Sequence, residues 1–149
     1  MKTTIISIFT FSILLIGCEN NSKKENKPKV ENEEHEHSEN TKIELNNGGK
    51  WAVKPEMLVH IRIMETEVNL FKKSETKDYK LLAKKLQENI ESLTSNCTMT
   101  GKAHDELHKW LLPYIDLVTD LSDVSDKTSE MKNYENIEAS FKTFNQFFN

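Results

Sequence analysis

The chain has 149 residues, with 20 Lys and Arg against 24 Asp and Glu and a formal net charge of −4. That balance excludes a nucleic-acid partner, which would require a basic face to neutralise phosphates. Hydrophobic residues make up 36%, which supports one small domain.

The first element is a short apolar run. Lys2 supplies a positive start, and Ile5 to Ile16 are nearly all Ile, Leu, Phe, Ser or Thr. The run is too short to cross a bilayer, which takes roughly 20 residues. It has the length and order of a secretory signal segment. Its end, Leu15-Ile16-Gly17-Cys18, resembles the lipobox of bacterial lipoproteins, where signal peptidase II cuts before the Cys. The resemblance implies that residues 1–17 are removed and that Cys18 becomes the fatty-acylated first residue. Loss of Lys2 would shift the net charge from −4 to −5. No later apolar run is long enough to span a membrane, so the protein is expected to be anchored to the bilayer without crossing it. The expected location is the cell envelope.

Residues 18–42 carry hardly an apolar side chain after the Cys. Such a stretch buries too little surface to offset its ordering entropy and reads as a disordered tether. Within it, Glu33-Glu34-His35-Glu36-His37 offers a weak His-Glu-His metal patch, and reads better as solvated low-complexity sequence.

The folded domain is expected over 43–149. Ile43-Glu44-Leu45 and Trp51-Ala52-Val53 alternate around Asn46-Asn47-Gly48-Gly49, the pattern of a β-hairpin. A two-stranded hairpin is marginal alone, so Ile43, Leu45, Trp51 and Val53 are expected to lie on the helices that follow.

Four amphipathic segments come next. The first begins near Pro55, with Met57, Ile61, Met64, Val68 and Phe71 as its apolar stripe. The second follows Thr76 to Asp78 and carries Tyr79, Leu82, Ala83, Leu86, Ile90 and Leu93. The third opens at Thr100-Gly101-Lys102, with Leu107, Leu111, Ile115 and Val118 inward and Pro113 predicted to kink it. A polar loop from Ser122 to Ser129 precedes the fourth, which carries Met131, Tyr134, Ile137, Phe141, Phe144 and Phe148. The pattern predicts an all-α fold: an up-down-up-down four-helix bundle preceded by a short hairpin.

Helix arithmetic then gathers unusual residues at one pole. Cys97 lies four residues beyond Leu93, on the inward stripe of the second helix. His104 and His108 precede Leu111 at the same spacing, one turn apart, about 6 Å along the axis. The turn between these helices spans only Asn96 to Lys102, which brings Cys97 and His104 to one end. The first helix starts at that same end in an up-down-up arrangement, which adds Met57 and His60. Met99 lies in the turn itself.

Two His at i and i+4 can hold one ion. With a Cys97 thiolate they form a normal zinc set, with His60 or water in a fourth position. Thiolate with thioether from Met57 or Met99 favours Cu(I) instead. Asp105 or Glu106 would accept an imidazole N–H from behind. Packing accounts for the same residues if no ion binds, so Cys97 is a buried thiol, an intermolecular partner, a reactive thiol or a ligand.

Two other readings stand beside metal binding. The chain would be an interaction module of the envelope, with Trp51, Trp110 and Tyr114 as aromatic anchors for a protein partner; Trp110 falls off the inward stripe. An enzyme is the third reading. His104-Asp105-Glu106-Leu107-His108 has the outline of the zincin motif, with Asp where the general-base Glu belongs. A Cys97–His104 or Cys97–His108 nucleophile pair is the other enzymatic option. The expectation is a non-enzymatic protein.

The segment Cys97-Thr98-Met99-Thr100-Gly101-Lys102-Ala103-His104-Asp105-Glu106-Leu107-His108-Lys109-Trp110-Leu111 resembles one found in small Bacteroidetes-type envelope lipoproteins. Asn47-Gly48 through Trp51 resembles their preceding segment, and the likeness covers the folded part of the chain. It implies an envelope location and a single intact domain, and it carries no assigned activity. Some such proteins have further His just after the Trp-Leu pair. Leu112 and Tyr114 stand there in this chain, which implies a leaner site.

Overall fold

The structure is a computed structural model and describes residues 42–149. The lipobox with Cys18, the tether and its His35 and His37 lie outside the described residues. Four helices follow in chain order: α1 (Pro55–Lys73), α2 (Tyr79–Ser95), α3 (Lys102–Asp123) and α4 (Lys127–Phe147). The domain is all-α. Among the described residues no helix is long and apolar enough to cross a membrane.

Each helix starts and stops for a local reason. Pro55 opens α1, where its missing N–H and fixed φ are harmless. Lys77 Nζ donates to the Phe71 and Lys72 carbonyls at 2.6 and 3.0 Å and closes that helix's C-terminus. Asp78 caps α2 by accepting from the Leu81 amide at 2.9 Å, and Asp126 caps α4 from Ser129 at the same distance. Gly101 precedes α3 with φ +69°, a left-handed value that a side chain would strain. α3 runs on through Pro113, which stands exposed on its outer side.

The buried faces follow the apolar periodicity. Met57, Ile61, Met64 and Val68 of α1 are buried, as are Leu82, Ala83, Leu86, Ile90 and Leu93 of α2. α3 buries a wider face: Leu107, Trp110, Leu111, Tyr114, Val118 and Leu121. It needs that width because it packs on both α2 and α4. Trp110 lies stacked on Tyr114 with centroids 5.0 Å apart, and both rings meet Phe141 of α4. Trp110 is therefore a core residue, against the sequence expectation. Met131, placed on the inward stripe of α4 by periodicity, is exposed. The α3–α4 loop is also shorter than the polar composition suggests.

The predicted hairpin is reduced to its turn. Asn46 and Gly49 exchange two backbone hydrogen bonds of 2.9 Å, with Asn47 and Gly48 both at positive φ, the geometry of a type I′ turn. The ladder does not continue into Ile43–Leu45 and Trp51–Val53. Trp51 and Val53 bond to the end of the chain instead: Trp51 N–H donates to the Phe147 carbonyl, Asn149 N–H to that of Trp51, and Val53 N–H to that of Asn149, all within 2.8–3.0 Å. This is a parallel bridge between Trp51 and Phe148. Ile43, Trp51 and Val53 are buried as expected, while Leu45 is exposed.

Candidate metal centre

A cavity of about 290 Å³ lies where the beginning of α1, the end of α2 and the beginning of α3 meet. Its lining is Met57, Leu93, Thr94, Cys97, Met99, His104, His108 and Leu111. Five of the six residues selected for metal binding from sequence therefore share one cavity. The exception is His60. It lies on the α1–α2 seam with Nδ1 3.4 Å from Asn89 Oδ1, away from the cavity lining.

The route to this arrangement is partly the expected one. His104 and His108 are one turn apart on α3, ring centroids 4.1 Å apart and tilted by 59°. Cys97 reaches the cavity by another path. α2 ends at Ser95, so Cys97 lies past the helix in a tightened turn, its N–H donating to the Thr94 carbonyl at 3.2 Å. Its thiol is unpaired and half-buried. Met57 and Met99 are buried, and both line the cavity.

The turn that carries Cys97 and Met99 is tied down from α1. Lys54 Nζ donates to both the carbonyl and the hydroxyl of Thr98, and the Thr98 hydroxyl donates to Glu56 Oε1 at 3.0 Å. Glu56 is held below the usual carboxylate range, first by a hydrogen bond from its own backbone N–H, then by Thr98 and by the Lys54 charge. This clasp has no sequence motif; a Thr between Cys and Met at a turn gives no signal of its own.

The two acids proposed to support the imidazoles do not do so. Glu106 is buried and turned the other way, accepting from the Glu44 amide at 2.8 Å and from Lys109 Nζ at 2.8 Å. Burial pushes its carboxyl up. The Lys109 and Glu44 hydrogen bonds, with the Lys109 and Lys102 charges, outweigh that and leave it below the usual range. Its role is structural: it joins the N-terminal segment to α3. Asp105 is exposed. Among the described residues no carboxylate lines the cavity.

The aromatic anchors expected for a protein partner are withdrawn from the surface. Trp51, Trp110 and Tyr114 are all buried. Trp51 Nε1 donates to the Glu44 carbonyl and Trp110 Nε1 to that of Ser140.

The donors surround the cavity without closing on a point. Among the described residues no three His, Cys, Asp or Glu side chains are gathered tightly enough to hold an ion. Binding would draw the ligands inward across the cavity. Compared with protein-family models, with curated proteins and with solved structures, the chain gives no match.

Proposed function

We propose that this chain is a lipoprotein of the cell envelope, anchored through Cys18, whose helical domain binds a soft or borderline metal ion, Cu(I) or Zn(II), without catalysing a reaction. The observation that carries the reading is the shared cavity of Cys97, His104, His108, Met57 and Met99. Thiolate, imidazole and thioether are the donors such ions prefer. The scaffold is read as an up-down-up-down bundle. Packing of α1 on α2, α2 on α3, α3 on α4 and α1 against α4 supports it. The anchor rests on the lipobox resemblance at Leu15 to Cys18.

The experiment is metal content and metal-dependent melting of the full chain in detergent. Cys18→Ser leaves Cys97 as its only thiol, and a His104→Ala/His108→Ala double variant serves as comparison. Near-stoichiometric metal, with a rise in Tm that the double variant loses, supports the reading. Unchanged melting with both ions in excess overturns it.

A second reading, an envelope docking module, now rests on other residues. Leu70 and Leu81 are exposed and line a separate cavity of about 250 Å³ between α1 and α2, with Phe71 and Leu82 at its floor. Crosslinking through that face to an envelope protein, abolished by Leu70→Glu, would favour it.

A further inference from the structure

The cavity's charge and donor set discriminate between the two ions. We infer that the site is built for Cu(I) and selects against Zn(II); this rests on the metal-binding reading above and deepens it.

The first argument is charge. Among the described residues, Cys97 is the only one of the lining that can supply a negative charge. Glu56 is tied to Thr98, Glu106 is tied to Lys109 and Glu44, and Lys54 brings a cation to the rim at Thr98. A monovalent ion bound to one thiolate is neutral. A divalent ion bound to the same thiolate keeps a net positive charge. The cost of taking a charge out of water rises with its square. Beside Thr94 and the two neutral imidazoles, the wall is Leu93, Leu111, Met57 and Met99, so that residual charge meets no second anion in the lining. Zinc sites usually relieve it with more thiolates or a carboxylate. Among the described residues neither lines the cavity.

The second argument is softness. Met57 and Met99 bring two thioethers to the wall that holds the thiol. A thioether is neutral and polarizable, a good partner for Cu(I) and a poor one for Zn(II). Met57 belongs to the α1 stripe, so core packing accounts for it. Met99 sits in a turn where the helical pattern does not require an apolar side chain, yet it is buried into this cavity. Cys97 and Met99 flank Thr98, and the clasp on Thr98 fixes both at once.

The test is a pair of titrations on the full Cys18→Ser chain in detergent, without oxygen. Cu(I) is delivered by competition with a chromogenic Cu(I) chelator, and Zn(II) with a zinc indicator. The variant is Met57→Leu/Met99→Leu, which nearly conserves volume; its apo Tm reports whether it is folded. The expected result is one Cu(I) per chain, bound far more tightly than Zn(II). X-ray absorption should show more than one sulfur on copper. In the variant, Cu(I) affinity should fall by at least roughly tenfold, the lower range for losing even an indirect partner of a metal ligand, while weak Zn(II) binding is unchanged. Zn(II) binding as tight as Cu(I), or Cu(I) affinity unmoved by the double Leu variant, overturns the selectivity and leaves metal binding standing. Binding of neither ion overturns both. A variant melting far below the parent is replaced by Met99→Leu alone, with the sulfur count on copper deciding.

Discussion

Lys54 Nζ lies 3.0 Å from the Thr98 carbonyl oxygen and 2.9 Å from its hydroxyl, so the residue just before α1 holds the turn after α2. The same hydroxyl donates to Glu56 in the first turn of α1. Thr98→Val keeps the shape and removes the hydroxyl. We expect Cys97 to alkylate faster in this variant, with little change in Tm, because the clasp is exposed and such pairs contribute little to stability. Metal affinity should drop by roughly tenfold, the lower range for losing a group that orients a ligand. Glu56 titrates below its usual value in the folded protein, so its contribution to the clasp is present above the ordinary carboxylate range and is lost as pH falls through the lowered value. Thiol alkylation measured against pH checks both points; a rate identical to the parent would show that the clasp holds nothing in place.

Glu106 offers a stability test. Glu106→Ala strands the Glu44 amide and leaves Lys109 without its carboxylate. The expected cost is about 1.5–3 kcal/mol, the range for a hydrogen bond to a charged group with its partner left behind. Glu106→Gln keeps an acceptor for Glu44 and should cost less. Because the folded carboxyl titrates below its unfolded value, its stabilisation is present above that unfolded value and disappears as pH falls through the folded one. The gap between parent and Gln variant should therefore narrow on acidification, a trend that urea midpoints across the acid range will read.

Phe148 and Met131 both fall on the apolar stripe of α4 in sequence, yet one is buried and the other about half exposed, at 0% and 51%. Phe148→Ala removes a ring stacked 5.2 Å from Phe144 and should cost about 3–5 kcal/mol. Met131→Ala should stay within about 0.5 kcal/mol of the parent. Guanidinium unfolding of the two variants side by side separates them; equal effects would refute the burial pattern.

Tyr114 is the one described residue with a buried side-chain polar atom lacking a hydrogen-bond partner. Burial pushes its hydroxyl far up, beyond the range in which the folded protein titrates. Tyr114 should therefore give no phenolate absorbance before alkaline unfolding. Tyr114→Phe removes the unpaired group at almost constant volume, and should be neutral or stabilising by up to about 1 kcal/mol. A clear loss of stability would mean that the hydroxyl has a partner.

The helices were legible because their signals are local. Pro55, Asp78 and Gly101 sit at or beside the observed starts, and most residues of the four apolar stripes are buried, with Met131 exposed and Phe71, Tyr79 and Ile115 half-buried. A single apolar stripe does not place Trp110, because α3 packs on two neighbours. The hairpin failed for a related reason: Asn-Gly encodes the turn, but which chain pairs with Trp51 is decided about a hundred residues away. At the candidate site the i, i+4 spacing of His104 and His108 is visible in the sequence. Cys97 was placed on the right wall through a helix that stops before it. His60 was drawn in by the same arithmetic, yet it faces Asn89 along the α1–α2 seam. Nothing in the sequence reveals that the partner of Glu106 is the Glu44 amide and not an imidazole.

The parallel pairing of Trp51 and Val53 with residues 147–149 sets the order of events as the chain is made. The backbone partners of Trp51 and Val53 are Phe147 and Asn149, so this pairing cannot form until those residues have been made. Helices α1 to α3 can collapse earlier on their local contacts. Until Phe147 and Asn149 have been made, the Trp51 and Val53 amides and the Trp51 carbonyl lack the partners they have in the folded domain.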